Sequence, residues 1–189
     1  MMKKYSVGLA ILLLVSIGVL AQTASTKVVI ADESPVKWLT FEQALEKSKT
    51  EKRKIFIDVF TDWCGWCKVM DKNTFSEVNV AKILNEKFYP VKFNAEQTED
   101  VVFSGTTFKF IPYGSKGTHQ LASALLNNQM SYPTVVFLDE EFRMIQPLPG
   151  YQKAAEFHKI IQFIGDDHFR TQKWDEWQVT YKSPYEGGN

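Results

Sequence analysis

Ile55-Phe56-Ile57-Asp58-Val59-Phe60-Thr61-Asp62-Trp63-Cys64-Gly65-Trp66-Cys67-Lys68 carries the only two cysteines of the chain, three residues apart and directly after an apolar run. The near-continuous apolar character of residues 55–60 predicts a strand buried on both faces, which puts the cysteines at a strand-to-helix junction. Residues three apart on the first turn of a helix have Cα atoms about 5–6 Å apart, inside the roughly 4.4–6.8 Å that a disulfide requires. Such a pair opens and closes with little backbone movement. At a helix N-terminus, unpaired N–H groups and the positive end of the dipole would also stabilise the thiolate of Cys64, the species that attacks another disulfide. The spacing therefore reads as an exchange centre. A structural staple is the weaker alternative, because closing so short a loop removes little entropy from the unfolded chain. A zinc site would need three or four ligands, and His119, His158 and His168 stand at no motif spacing from one another. No metal and no cofactor are expected.

Working outward, Lys3 and Lys4 precede an apolar run over residues 7–20 and the small-residue site Val19-Leu20-Ala21, so residues 1–21 read as a secretory signal peptide. Removing them from 189 residues leaves 168, enough for one domain with a substantial core. Of the 22 basic and 22 acidic side chains, only Lys3 and Lys4 are lost, leaving 20 against 22. That balance gives no reason to expect nucleic acid or an anionic membrane as a partner. Disulfides persist in an exported protein, yet this one keeps a single adjacent pair, which favours redox work over structure.

Residues 22–35 are polar and unpatterned, a linker. Thr40-Phe41-Glu42-Gln43 has the form of a capping box, with Phe41, Ala44 and Leu45 on one side of the helix that follows. After Cys67 a helix is expected to about residue 72, and Ser76 offers an N-cap for another whose Val80, Ile83 and Leu84 share a side. Residues 89–94 read as a strand with Val91 and Phe93 pointing one way. Residues 101–110 read as a hairpin turning at Ser104-Gly105, with 111–117 a loop and 118–127 a short helix. Residues 134–138 and 142–146 suggest a second hairpin, and Phe157, Ile160, Ile161 and Ile164 a helix facing the sheet. Trp174, Trp177 and Tyr181 continue the helical spacing, as packing or as a ligand-stacking surface, before a flexible tail over 183–189.

This order of elements resembles the thioredoxin superfamily. Asp58, six residues before Cys64, matches the buried carboxylate of thioredoxins, Trp63-Cys64-Gly65-Trp66-Cys67-Lys68 the tryptophan-flanked active-site motif, and Tyr132-Pro133-Thr134 the cis-proline loop. Asp62-Trp63-Cys64, Cys67-Lys68 and Thr74-Phe75-Ser76 together are similar to the thioredoxin-like domain of the periplasmic transmembrane disulfide reductase. The resemblance spans residues 36 to 165. Trp66 departs from it by replacing the proline of thioredoxin, and so do residues 96–117, which are longer than the usual connection. It implies an α/β thioredoxin fold over residues 36–182, a central mixed sheet flanked by helices, with a hairpin insertion before the cis-proline loop.

The resemblance also implies a chemistry. Cys64 would attack a substrate disulfide, Cys67, the more buried, would resolve the mixed disulfide, and Asp58 would take the Cys67 proton. Pro133 would be cis and present the backbone of Tyr132 to the substrate, while Trp63, Gly65 and Trp66 would form the docking rim. Lys68 reads as a solvated helix-face residue. With no histidine between the cysteines and Asp58 and Asp62 nearby, the expected direction is reduction or exchange in the periplasm. The expected partners are disulfide-containing exported proteins and a membrane electron donor, with the chain a monomer. A different class of function stays open on the same fold: a client-binding or chaperone module in which Phe103, Phe108, Phe110 and Tyr113 of the insertion form an apolar platform.

Overall fold

Burial along residues 54–60 fixes the centre of the molecule, since every side chain from Lys54 to Val59 is buried. The computed structural model describes residues 35–185 together with Met2; apart from Met2, the stretch read as a signal peptide over 1–21, residues 22–34 of the expected linker and residues 186–189 of the expected tail lie outside the described residues. In chain order the elements are α1 (Phe41–Ser48), β1 (Lys54–Phe60), α2 (Gly65–Met70), a π-helical turn (Asp71–Phe75), α3 (Val78–Lys87), β2 (Phe88–Asn94), β3 (Val101–Phe103), β4 (Thr106–Phe108), β5 (Phe110–Tyr113), β6 (Lys116–His119), α4 (Gln120–Leu125), β7 (Thr134–Leu138), β8 (Met144–Pro149), α5 (Ala154–Gly165), a 3₁₀ turn (His168–Arg170) and α6 (Trp174–Gln178). The main sheet runs β2-β1-β7-β8, with β1 parallel to β2 and antiparallel to β7. It is the mixed sheet expected from the sequence, and helices cover both of its faces.

Strand alternation sorts the core into two layers. Ile55, Ile57 and Val59 of β1 join Val91 and Phe93 of β2 against α1 and α4. Phe56 faces the other way with Phe88, Val135 and Phe137, packed by Phe75, Leu84, Phe157 and Ile161. Asp58 lies on the Phe56 side of β1, opposite Lys92 of β2 in the parallel register. A carboxylate and an ammonium thus enter the core as neighbours.

The capping box forms as read: Thr40 Oγ1 accepts from Gln43 N at 3.2 Å and Gln43 Oε1 accepts from Thr40 N at 2.9 Å. Elsewhere local patterns yield to tertiary context. The helix after Cys67 widens into the π turn, and Glu77, not Ser76, caps α3, because the Ser76 hydroxyl donates back to the Lys72 carbonyl. The expected loop over residues 111–117 is a second hairpin, β5 against β6, in which Pro112 pairs with Gly117. Gly117 is required there, since a Cβ on it would lie 2.0 Å from the Phe110 ring. Helix α4 starts at Gln120 rather than 118, because His119 Nδ1 accepts from Leu121 N and ends β6. Phe142 belongs to the turn before β8 rather than to the strand, at φ 65°, with Asp139 Oδ1 accepting from the amides of Glu141 and Arg143. The terminal aromatics pack on α5, Trp174 and Trp177 lying 5.2 and 5.1 Å from the Phe163 ring, and Tyr181 lies 5.2 Å from Trp177.

Lys54 opens β1 with a buried ammonium held 2.7 Å from Glu140 and 2.9 Å from Asp167, and Arg170 reaches the same two carboxylates. Lys54→Met should destabilise the fold. The acids are partly exposed and keep Arg170, so the expected loss is about 1–2 kcal/mol, below that of a fully buried pair. A urea denaturation midpoint unchanged from the parent would contradict this role.

Candidate active site

Strand β1 ends at Phe60, and the chain turns back through Thr61, whose carbonyl accepts from Cys64 N at 3.0 Å. That turn makes Cys64 the N-cap of α2, with its sulfur accepting from Cys67 N at 3.1 Å. The two cysteines are joined as a disulfide with Cα atoms 5.3 Å apart, inside the range set by their spacing. Cys64 is 4 % exposed and Cys67 3 %. The expected asymmetry of burial is therefore absent in this oxidised form, because the Cys64 sulfur folds back over the first turn of the helix.

Around the buried sulfurs stands an exposed aromatic rim. Trp63 is 65 % and Trp66 61 % exposed, unusual for residues this large. Trp63 meets Tyr132 edge-on at 5.8 Å and donates from Nε1 to Glu96 Oε1 at 3.0 Å, while Trp66 leans on Tyr151 at 5.5 Å. The Tyr132–Pro133 bond is cis, and the Pro133 carbonyl accepts from Gly150 N at 2.8 Å. Burial, with the Glu96 carboxylate nearby, pushes the Tyr132 phenol up to about 12, so it remains a neutral hydroxyl. Gly65 sits at the exposed tip between the tryptophans, with open space where a side chain would be.

On the Phe56 side of β1, Asp58 is 1 % exposed. Its Oδ2 accepts from Lys92 Nζ at 2.6 Å, and its Oδ1 has no hydrogen-bond partner among the described residues. Lys92 also donates to Asp71, which stands one helical turn after Cys67. Its ammonium lies over the rings of Trp38, Phe60 and Phe75 at 4.9–5.3 Å. Burial raises the Asp58 carboxyl to about 6 despite the opposing charge of Lys92. The acid is thus poised to exchange a proton near neutrality.

The contacts join Trp63 to Tyr132 and Cys64 to Cys67, whereas Asp58 is tied to the cysteine helix indirectly, through Lys92 and Asp71. Lys92, Asp71 and Glu96 were missed. A signal existed for Lys92: with Val91 and Phe93 turned to one face of β2, it has to turn to the other. In the insertion, Phe103 packs edge-on against Phe41 at 5.1 Å and Phe142 at 5.8 Å, and Phe108 packs against the same core layer. Tyr113 remains exposed.

A cysteine pair that closes as a disulfide at a helix start, under an aromatic rim, is apparatus for thiol–disulfide exchange. Among solved structures, the fold is similar to a putative disulphide-isomerase from Bacteroides thetaiotaomicron, with a TM-score of 0.52 and 23% identity over 76% of this chain and 100% of that one. It is also similar to a thioredoxin from Thermus thermophilus, with a TM-score of 0.51 and 18% identity over 69% of this chain and 87% of that one. The fold is the thioredoxin fold. In sequence, 69 residues, 36% of the chain, are 36% identical to an uncharacterized protein of Caenorhabditis elegans and 32% identical to human spermatogenesis-associated protein 20. The match spans only 10% and 9% of those relatives' lengths. A longer stretch of 125 residues, 65% of the chain, is 23% identical to 18% of the thiol:disulfide interchange protein DsbD of Colwellia psychrerythraea. A family model takes in the buried acid, the cysteine pair and the cis-proline loop together, matching residues 18–166, and the chain belongs to that family, Thioredox_DsbH, described as "Protein of unknown function, DUF255".

Proposed function

We propose that the protein is a thiol-disulfide oxidoreductase that reduces or exchanges disulfides in exported polypeptides. The observation that carries this reading is the buried Cys64–Cys67 disulfide set between two exposed tryptophans and the Tyr132–Pro133 loop. In the reduced protein, the Cys64 thiolate attacks one sulfur of a substrate disulfide. A mixed disulfide forms and the other substrate sulfur leaves as a thiolate that takes up a proton. Cys67 then gives up its proton and attacks Cys64, releasing the substrate as a dithiol and regenerating the protein disulfide. Asp58, with Oδ1 unpaired among the described residues and a pKa of about 6, is the proton acceptor for Cys67. Trp63, Gly65, Trp66 and Tyr132 receive the substrate, with Pro133 holding the Tyr132 backbone in place.

The negative charge of Asp58 disfavours a thiolate nearby, which places the couple on the reducing side and calls for a donor to recharge it. The likeness to part of DsbD supports a membrane electron donor and a periplasmic setting. The protein acts as a monomer. The test is a titration of the pair against a thiol–disulfide buffer, read by the fluorescence of Trp63 and Trp66. A potential near about −270 mV is expected, and one near about −120 mV would reverse the direction of electron flow. Failure of the fully reduced protein to reduce any protein disulfide would remove the assignment itself.

A further inference from the structure

The β5–β6 hairpin turns different residues to its two sides, as strand alternation requires. Phe110 and Pro112 face Trp63 and Glu96 across a hollow of about 430 Å³ beside the rim. On the other side, Ile111 and Tyr113 meet Ser123 and Ala124 of α4 and Met130 around a groove of about 590 Å³. Ile111, Tyr113 and Met130 are all exposed large apolar side chains. No residue lining this second groove carries a formal charge, in a chain that is 23% charged.

The groove continues the active-site rim. Met130 is two residues from Tyr132, which packs against Trp63, and the strand that gives Ile111 and Tyr113 to the groove gives Phe110 and Pro112 to the hollow beside Trp63. Its wall is also fixed in advance. The Phe110 ring fills the space left by Gly117, and the base of the hairpin is tied down by Gln120 N to Lys109 O and His119 N to Ala95 O, both 2.8 Å. A preformed apolar wall binds without the cost of ordering it.

We propose that this uncharged groove is a substrate subsite that takes a large apolar side chain from an extended, unfolded client polypeptide while the client's disulfide lies at Cys64, an inference that rests on the oxidoreductase reading above. The charge balance selects this occupant. A small charged disulfide such as oxidised glutathione brings carboxylates that find no cation in the groove, whereas an aromatic or aliphatic side chain gives up its hydration favourably.

The test uses two disulfide-linked peptides that differ only in carrying phenylalanine or aspartate three residues from the cysteine. For the parent protein kcat/KM should favour the phenylalanine peptide by about tenfold, the scale on which apolar pockets discriminate. The double variant Ile111→Glu, Met130→Glu should bring the ratio near one. Val102→Glu, an exposed apolar position on the β3–β4 hairpin, should leave it near the parent value. A parent ratio near one, or a preference that survives the double variant, overturns the proposal. A serine-for-cysteine version of each peptide, titrated by tryptophan fluorescence, separates the groove from the chemistry. Binding of the phenylalanine version that the double variant abolishes upholds the groove even if no disulfide is reduced. Equal reduction of both peptides with no binding removes the groove and leaves the oxidoreductase. A dimer in sedimentation that the double variant dissolves would make the occupant a second copy, and would equally overturn the proposal.

Discussion

Cys67→Ser is expected to lower turnover of a protein disulfide by about 10³-fold or more while leaving the first attack intact, so that a covalent adduct with the substrate accumulates. The reason lies in the division of labour between two sulfurs only three residues apart. Cys64 is the N-cap, and its sulfur lies against the Cys67 amide, a donor that stabilises negative charge on it. Serine at position 67 keeps that amide and fills nearly the same volume, so the nucleophile is unharmed. What is lost is the thiolate that displaces the substrate, and a serine hydroxyl does not attack a disulfide under these conditions. The adduct should run on a non-reducing gel at the summed mass of protein and substrate and disappear with dithiothreitol. Cys64→Ser should give neither turnover nor adduct, because only the sulfur at the N-cap position 64 accepts from the Cys67 amide, and no other cysteine exists in the chain. An adduct formed by Cys64→Ser, or turnover retained by Cys67→Ser, would reverse the assignment of the two roles.

How much of this was legible in the sequence follows the range of each interaction. The strand before the cysteines, the capping box at Thr40 and the α5 face were readable because each depends on residues within a turn or two. Asp58 was readable as buried because its neighbours on both sides are apolar. Its partnership with Lys92 was not, since it arises from the register between two strands 34 positions apart, which no local pattern encodes. Asp71 was hidden for the same reason: its role appears only once Lys92 bridges it to Asp58. The second insertion hairpin was missed because Pro112, Gly114 and Gly117 read as loop residues. Pro112 sits in a two-stranded ribbon, Gly114 takes φ 60° at the turn, and Gly117 makes room for Phe110. Ser76 carries the right chemistry for a cap, yet its hydroxyl is drawn back to Lys72 by the π turn.

The ion cluster of Asp58, Lys92 and Asp71 sets up opposite effects on stability and catalysis. Asp58 has a carboxyl raised from 3.8 to about 6 by burial, so the folded protein binds its proton more tightly than the unfolded chain does. Stability from this group is therefore fully present below about pH 4 and is lost as pH rises through 6, where the folded state has to hold a buried charge. A difference of about two pH units corresponds to roughly 3 kcal/mol. Asp58→Asn keeps the shape of the neutral acid and removes the titration. It should match the parent at pH 4 and exceed its unfolding free energy by roughly 3 kcal/mol at pH 8, as urea denaturation would show. Lys92 does not become an unpaired buried charge in this variant, because Asp71 still holds it and its side chain reaches solvent. The same substitution should slow the release step in which Cys67 loses its proton, with the largest deficit at neutral pH and below, where few free thiols ionise unaided. A stability gap of equal size at both pH values would show that Asp58 acts through packing rather than charge. A gain in stability with no loss of exchange rate would take the proton-accepting role away from it.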